Sequence, residues 1–227
     1  MLSLITSLGN HVMPAPRNSP LAAAAPPPHI PTLPYANFCN VVRIGRGGFA
    51  SIYSAQYTRA DGATLAVALK VLDVGVDMLQ QDKVAMNELK MHYSMSSSYV
   101  ARCRGLTVTP SAGSNSLGKV GNLVIVMDLY EGSLSNVLSH AGYRTLPTAG
   151  RVWLAKQVSH AVEFLTVNGI VHGDIKPQNY LWAVKGSTAV VKISDFGNSR
   201  LRDMQHSKTI AVSANVAGTL YKRILRH

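Results

Sequence analysis

The sequence predicts an α+β fold in two lobes: a small first lobe with a five-stranded antiparallel sheet and one helix, then a mainly helical second lobe. Three observations predict it. Short runs at strand period fill residues 41–72 and return at 106–108 and 123–127. Beyond residue 133 the apolar spacing changes to that of helices. After the longest helical stretch comes Ile170-Val-His-Gly-Asp-Ile-Lys-Pro-Gln-Asn179, followed by Asp195-Phe-Gly197, the densest run of chemistry-bearing residues in the chain.

The chain has 227 residues, one domain or one and a half, and 47% of them are hydrophobic, enough for a sizeable core. Its formal charge of +11 comes from 22 basic and 11 acidic residues, with no acid before Asp61. That balance favours anionic partners (nucleotides, acidic peptides, nucleic acid, a membrane surface) and selects none of them. Cys39 and Cys103 are too few and too far apart for a disulfide framework or a zinc site, so reduced thiols in an intracellular, cytoplasmic or nuclear protein are expected. No apolar run reaches the roughly 18 residues of a membrane span. Met1 to Leu8 has no basic start, which disfavours a secretory signal, and Arg17 is the only Lys or Arg in the first 40 residues, which disfavours an organelle transit peptide.

Pro14 to Pro34 holds eight of the eleven prolines, so residues 1–37 are expected to be a disordered Pro/Ala-rich leader. Val41–Ile44 and Ser51–Tyr57 flank Gly45-Arg-Gly-Gly-Phe-Ala50, placing the glycines at a hairpin turn, and Asp61-Gly62 makes a second turn. Thr64–Leu72 is a third strand; its alternation sets Ala66, Ala68 and Lys70 on one face and Val67, Leu69 and Val71 on the other. Two alanines beside a lysine make a flat floor with a cation at its edge, suited to a nucleotide base and its phosphates. A helix is expected from about Asp77 to Met95, with Glu88 in its second half, then strands at Leu106–Val108 and Leu123–Met127.

In the second lobe, Ser133 to His140 reads as a short helix. Thr148 is the expected N-cap of a longer helix and Asn168-Gly169 its stop. Leu154, Val158, Ala161, Val162 and Leu165 form its apolar stripe. Tyr180–Ala183 and Ala189–Ile193 make a hairpin around Lys185-Gly186.

In the central loop an acid, Asp174, stands two residues after His172. Lys176 follows by two and Asn179 by three more, and a second acid, Asp195, opens a Phe-Gly turn. Phosphoryl transfer from a magnesium nucleotide to a hydroxyl needs such a set: one acid to orient the hydroxyl, a cation for the moving phosphate, an amide and a second acid for the metal.

On these residues the chain resembles the eukaryotic protein kinase family, serine/threonine type, from about Val41 to Thr219. Gly45-x-Gly47-x-x-Ala50 with Ile52 resembles the glycine-rich loop, and Val67-Ala-Leu-Lys70 the lysine-bearing strand. Glu88 stands at the helix glutamate, His172 to Asn179 resembles the catalytic loop, and Asp195-Phe-Gly197 the metal-binding turn. The resemblance implies ATP and Mg2+ as cofactors and a protein with a Ser/Thr acceptor as partner, with no nucleic acid expected and no membrane span. Asp174, Lys176 and Asn179 would be catalytic, and Asn179 and Asp195 would hold metal. The nucleotide would meet Ile44, Gly45, Arg46, Gly47, Gly48, Phe49, Ala50, Ser51 and Ile52 of the loop, and Ala68, Lys70, Glu88, Met127 and Leu181. Residues 38–128 would be the first lobe, 128–132 the hinge and 133–227 a partial second lobe.

Several residues depart from the family pattern. Ala50 replaces the third glycine, His92 falls at an apolar position, and Gly173 replaces the arginine before the catalytic acid. With no arginine there, phosphate on Ser207, Thr209 or Ser213 is not expected to be the main switch. Gly218-Thr219 resembles the close of the activation segment. The family then continues to Ala-Pro-Glu and further helices, whereas this sequence reads Lys222-Arg-Ile-Leu-Arg-His227, implying an incomplete second lobe. The expected function is ATP- and Mg-dependent transfer of the γ-phosphoryl group to protein serine or threonine hydroxyls. The alternative is a non-catalytic, nucleotide-binding pseudokinase-like fragment acting through protein interaction. A nucleic-acid binder ranks below both, for want of a basic-aromatic motif.

Overall fold

The computed structural model describes residues 29–47, 50–75, 83–110, 121–185 and 188–201, together with Leu220, Lys222, Ile224 and Leu225. They fall into two compact units, one holding Arg102–Leu129 with the residues up to Ser96, the other holding Ser97–Ala101 with the residues from Tyr130 onward.

The first unit is an antiparallel five-stranded sheet: β1 (Phe38–Arg46), β2 (Ala50–Thr58), β3 (Thr64–Gly75), β4 (Cys103–Val108) and β5 (Asn122–Asp128), in the order β1-β2-β3-β5-β4. β3 is central, and its alternation decides the two faces. Val67, Leu69 and Val71 are at most 2% exposed and pack with Phe38, Ala55, Val124 and Val126. Each such burial contributes about 1.5–3 kcal/mol. The opposite face meets α1 (Lys83–Ser94): Leu72, Ile125 and Leu123 pack with Ala85 and Leu89. The expected start of this helix, from Asp77 to Asp82, lies outside the described residues.

Of residues 29–37, read from the sequence as the end of a disordered leader, Pro31 to Leu33 lies along β4 and Tyr35–Asn37 forms a 3₁₀ turn before β1. Leu33 N–H donates to the Leu106 carbonyl at 2.8 Å and Leu106 N–H to the Pro31 carbonyl at 2.9 Å. Gly105 has φ +150°, and a Cβ there would collide with the Pro31 carbonyl oxygen, so the close approach requires glycine. Ile30 packs on one face of the sheet, Leu33 and Tyr35 on the other.

In the second unit, α2 spans Leu134–Ser139. Ser133 is its N-cap, in a capping box with Asn136. The long helix α3 (Thr148–Val167) begins one residue earlier than the cap pattern predicts. Thr148 is helical and Pro147 holds the N-cap position, its fixed φ of −55° leading into the first turn. Asn168-Gly169 does end it: Asn168 Nδ2 donates to the Phe164 carbonyl at 2.7 Å, and Gly169 takes φ +65°. Leu154, Val158, Ala161 and Leu165 are buried as the stripe predicts; Val162 is half-buried, and Trp153, Ala155 and Phe164 widen the band.

The remaining strands are short. β7 (Ile170–Val171) pairs with β10 (Arg200–Leu201), while β6 (Gly132–Ser133), β8 (Tyr180–Lys185) and β9 (Thr188–Ile193) form a three-stranded sheet. Ser97–Ala101 is tied to β9 by Ala101 N–H to the Ile193 carbonyl and Ile193 N–H to the Tyr99 carbonyl, both 2.8 Å. Lys192, buried, donates to the carbonyls of Ser97 and Val100 at 3.3 and 3.2 Å. Among the described residues no helix is long and apolar enough to cross a membrane.

Candidate active site

In the sheet unit the register sets a row of residues side by side. Gly45 lies opposite Ile52, Ile52 opposite Lys70, and Lys70 opposite Ile125; Ala68 lies opposite Met127. Directly opposed residues share a face, so Ile52, Ala68, Lys70 and Met127 lie on the side that also carries Leu72. Helix α1 completes this side. Ala85, Glu88, Leu89 and His92 stand at i, i+3, i+4 and i+7, one helical face, and all four are buried. Glu88 is therefore turned inward, and its Oε1 pairs with Lys70 Nζ. Those side chains are only 6% and 14% exposed, so solvent screens the pair little.

Gly45 and Gly47 have open surroundings. A Cβ would lie 3.7 Å from Ile52 Cβ at the first and 3.7 Å from the Ala50 carbonyl oxygen at the second, ordinary contacts. The protein itself does not demand glycine there; a ligand lying close to the backbone would. Ile44, Arg46, Ser51 and Ala50 belong to the strands flanking this turn, Ile44 and Arg46 exposed and Ala50 buried, while Gly48 and Phe49 lie outside the described residues.

In the second unit, Asp174 is held from several directions. Its carboxylate Oδ2 accepts from Asn179 Nδ2 at 3.0 Å and pairs with Lys176 Nζ at 2.6 Å. Asn179 Nδ2 also donates to the Asp174 carbonyl at 2.8 Å. Asn179 sits in a single 3₁₀ turn, Pro177–Asn179, whose proline starts the turn with φ already fixed. The Asn179 carbonyl accepts from the Ser194 amide at 2.8 Å and from Ser194 Oγ at 3.1 Å, which places Asp195 one residue from that anchor.

His172 links the two loops. It is 1% exposed, and burial holds its pKa below the usual histidine value, so the ring is neutral near pH 7. Nε2 lies 3.0 Å from the Ser194 carbonyl and Nδ1 3.3 Å from the Asp174 amide. A carbonyl only accepts and an amide N–H only donates, so Nε2 carries the proton and Nδ1 accepts. The ring also meets Phe196 edge-on, centroids 5.0 Å apart. Asp195 itself has φ 68°, the left-handed region, where a non-glycine residue costs of order 1–3 kcal/mol and marks sites whose surroundings impose it.

The donor chemistry suits a hard divalent cation. With Asn179 Nδ2 committed to Asp174, its Oδ1 is the atom left to face a cation, and Asp195 brings a carboxylate. Among the described residues no group of three or more His, Cys, Asp or Glu could hold a metal by itself. One amide oxygen and one carboxylate fit an ion such as Mg2+ that takes its other oxygens from water and phosphate.

Leu181 is half-buried on β8, beside Ser133 of β6 and Lys192 of β9. Ser207, Thr209, Ser213, Gly218 and Thr219 lie outside the described residues. Sequence reasoning missed the anchors Ser194 and Ser199 and the ion pair of Arg104 with Asp128, 2.5 Å across β4 and β5. Their partners lie 15 to 27 residues away in the chain, a separation that carries no periodic signal.

The family model described as the protein kinase domain matches residues 38–221, and the chain belongs to that family. Calcium/calmodulin-dependent protein kinase type IV of Rattus norvegicus is 28% identical over 195 residues, 85% of this chain and 37% of that protein. CDPK-related kinase 5 of Arabidopsis thaliana is 28% identical over 165 residues, 69% of this chain and 25% of that protein. A probable serine/threonine-protein kinase of Streptomyces coelicolor is 29% identical over 176 residues, 78% of this chain and 24% of that protein. The chain spans about a quarter to two-fifths of the length of these relatives.

Proposed function

We propose that the chain transfers the γ-phosphoryl group of ATP, with Mg2+, to serine or threonine hydroxyls of proteins inside the cell. The observation that carries this reading is the setting of Asp174, whose carboxylate is oriented by Asn179 and Lys176 while its amide is held by a neutral His172. One oxygen, Oδ1, is left by these contacts to accept the hydrogen bond of an incoming hydroxyl, orienting it for attack. Lys176 stands at that same carboxylate and supplies positive charge where negative charge develops on the transferring group. Lys70, fixed by Glu88, binds the non-transferred phosphates. Ile52, Ala68 and Met127 give the base an apolar surface. Mg2+, when bound, neutralises phosphate charge, and Asn179 Oδ1 and Asp195 are the residues that would hold it.

A transfer assay with γ-labelled ATP, Mg2+ and serine/threonine peptides tests the proposal on the full chain. Asp174→Asn is expected to lower kcat by about a hundredfold to ten-thousandfold and leave KM for ATP within about twofold. Undiminished transfer by Asp174→Asn would overturn the assignment. Nucleotide binding by the wild type without any transfer would favour the non-catalytic alternative.

A further inference from the structure

Asp174 and Asp195 are supplied by two separate loops, and part of the contact between those loops is made by residues outside the set just described, Gly173, Asn198 and Ser199. Two successive residues, His172 and Gly173, lie against the turn after Asp195. Ser199 Oγ donates to the His172 carbonyl at 3.2 Å, and the Ser199 amide donates to the Phe196 carbonyl at 3.0 Å, closing the turn. Gly173, at φ +80°, lies so near that turn that a Cβ would stand 2.5 Å from the Asn198 carbonyl oxygen and 3.2 Å from Asn198 Cβ. No other residue type fits there without a shift of the backbone. Glycine at 173 thus lets the two main chains touch, and the Ser199 hydroxyl bonds them together.

We propose that Ser199 is a positioning residue for Asp174, acting through the His172 carbonyl; this rests on the phosphoryl-transfer reading above. His172 is gripped on both sides by one segment. The Ser194 carbonyl takes its ring N–H, Phe196 packs on the ring, and Ser199 fixes its main chain. The Asp174 amide then bonds to the ring nitrogen that remains. If the Ser199 bond is lost, the His172 peptide is free to rotate, and Asp174, two residues on, shifts relative to Asp195. Ser199 is 4% exposed, so water does not readily replace the bond. Alanine at this site keeps the packing and removes only the donor, while threonine keeps the donor.

The test uses the full chain with two readouts. Hydrogen exchange at the amides of residues 172–179 is expected to accelerate about tenfold in Ser199→Ala and to stay within twofold of wild type in Ser199→Thr, a difference equivalent to one lost hydrogen bond. Transfer kinetics are expected to show kcat reduced about tenfold in Ser199→Ala with KM for ATP unchanged, and restored in Ser199→Thr. Should Ser199→Ala not fold, Ser199→Cys, a weaker donor of similar size, is expected to give intermediate values on both. Unchanged exchange in the donor-deficient variant overturns the proposal whatever the activity. Accelerated exchange with kcat unchanged overturns it too, since the bond would then be structural only. A wild type that transfers nothing, with exchange that still responds to Ser199→Ala, would overturn the phosphoryl-transfer reading and leave the bridge from Ser199 to the Asp174 loop in place.

Discussion

The sheet unit and the helical unit hold their charged groups by different means. On the sheet, Ile52, Ala68, Lys70 and Met127 are placed by the register of a regular ladder, and an ion pair from Lys70 to Glu88 joins the sheet to α1. In the helical unit no ladder reaches Asp174. Its position comes from side-chain contacts with Asn179 and Lys176 and from the hydrogen bond its backbone N–H donates to His172, which is itself anchored by residues 194–199. A ladder satisfies backbone groups by repetition, so one or two side chains suffice to aim a functional group. A loop must satisfy each backbone group individually, and many small polar contacts share the work. The sheet side should therefore be sensitive to the Lys70–Glu88 pair, and the loop side to its close backbone fit.

Gly173→Arg gives the largest expected effect. It forces an L-residue into φ +80° and sets a Cβ against Asn198. Left-handed backbone costs about 1–3 kcal/mol before the collision is counted, so a loss of roughly 3 kcal/mol or more is expected in denaturant titration. Activity should fall about a hundredfold in parallel, from displacement of Asp174. A Gly173→Arg chain as stable as wild type would show that the loops do not touch as described.

The two lysines are expected to differ next. Lys70→Met removes the cation paired with a buried Glu88 and is expected to lower the stability of the ligand-free chain by about 1–3 kcal/mol. Lys176, with 46% of its side chain exposed, should lose less than about 0.5 kcal/mol as Lys176→Met, because solvent already screens its pair with Asp174. Equal losses in the two variants would erase the distinction between the units.

The smallest effect concerns pH. His172 is depressed below its ordinary value of 6.5 by burial, so the unfolded chain takes up a proton before the folded chain does. This contribution is complete above pH 6.5 and is lost as pH falls from there towards the folded value, by at most about 1.4 kcal/mol per pH unit. Protonation at Nδ1 would also remove the acceptor of the Asp174 amide. A ring titration followed by NMR should place the His172 midpoint below 6.5, and a midpoint at or above 6.5 would refute the neutral tautomer.

The sequence was most legible where periodicity is strong. Alternation through Val67, Leu69 and Val71 located the central strand and its two faces, and Asn168-Gly169 located the end of α3. Residue order was enough to single out Asp174, Asn179 and Asp195, because their chemistry is unusual at that spacing. The sequence was silent on what orients them. Ser194 and Ser199 are unremarkable as letters, and only the fold brings them to the carbonyls of Asn179 and His172. Glu88 alone reads as a solvated helix face; its alignment with Ala85, Leu89 and His92 is what reveals that it points inward. The Thr148 cap was misplaced by one residue because Pro147 can lead into a helix without any side-chain bond.

The stretch from Pro31 to Leu33 has a consequence for self-association. A sheet ends in strands whose unpaired N–H and C=O groups invite another chain to add on, and β1 and β4 are the ends here. At β4 the outward N–H and C=O of Leu106 are already occupied by the protein's own preceding segment. At β1 the protection is of another kind. Register shifts fall between Cys39 and Val42 and between Arg43 and Gly45, Asn40 turns left-handed at φ 54°, and Arg43 and Arg46 are exposed. One border of the sheet is sealed by its own chain, the other made irregular and charged, so neither offers the long flat template on which β-rich proteins aggregate.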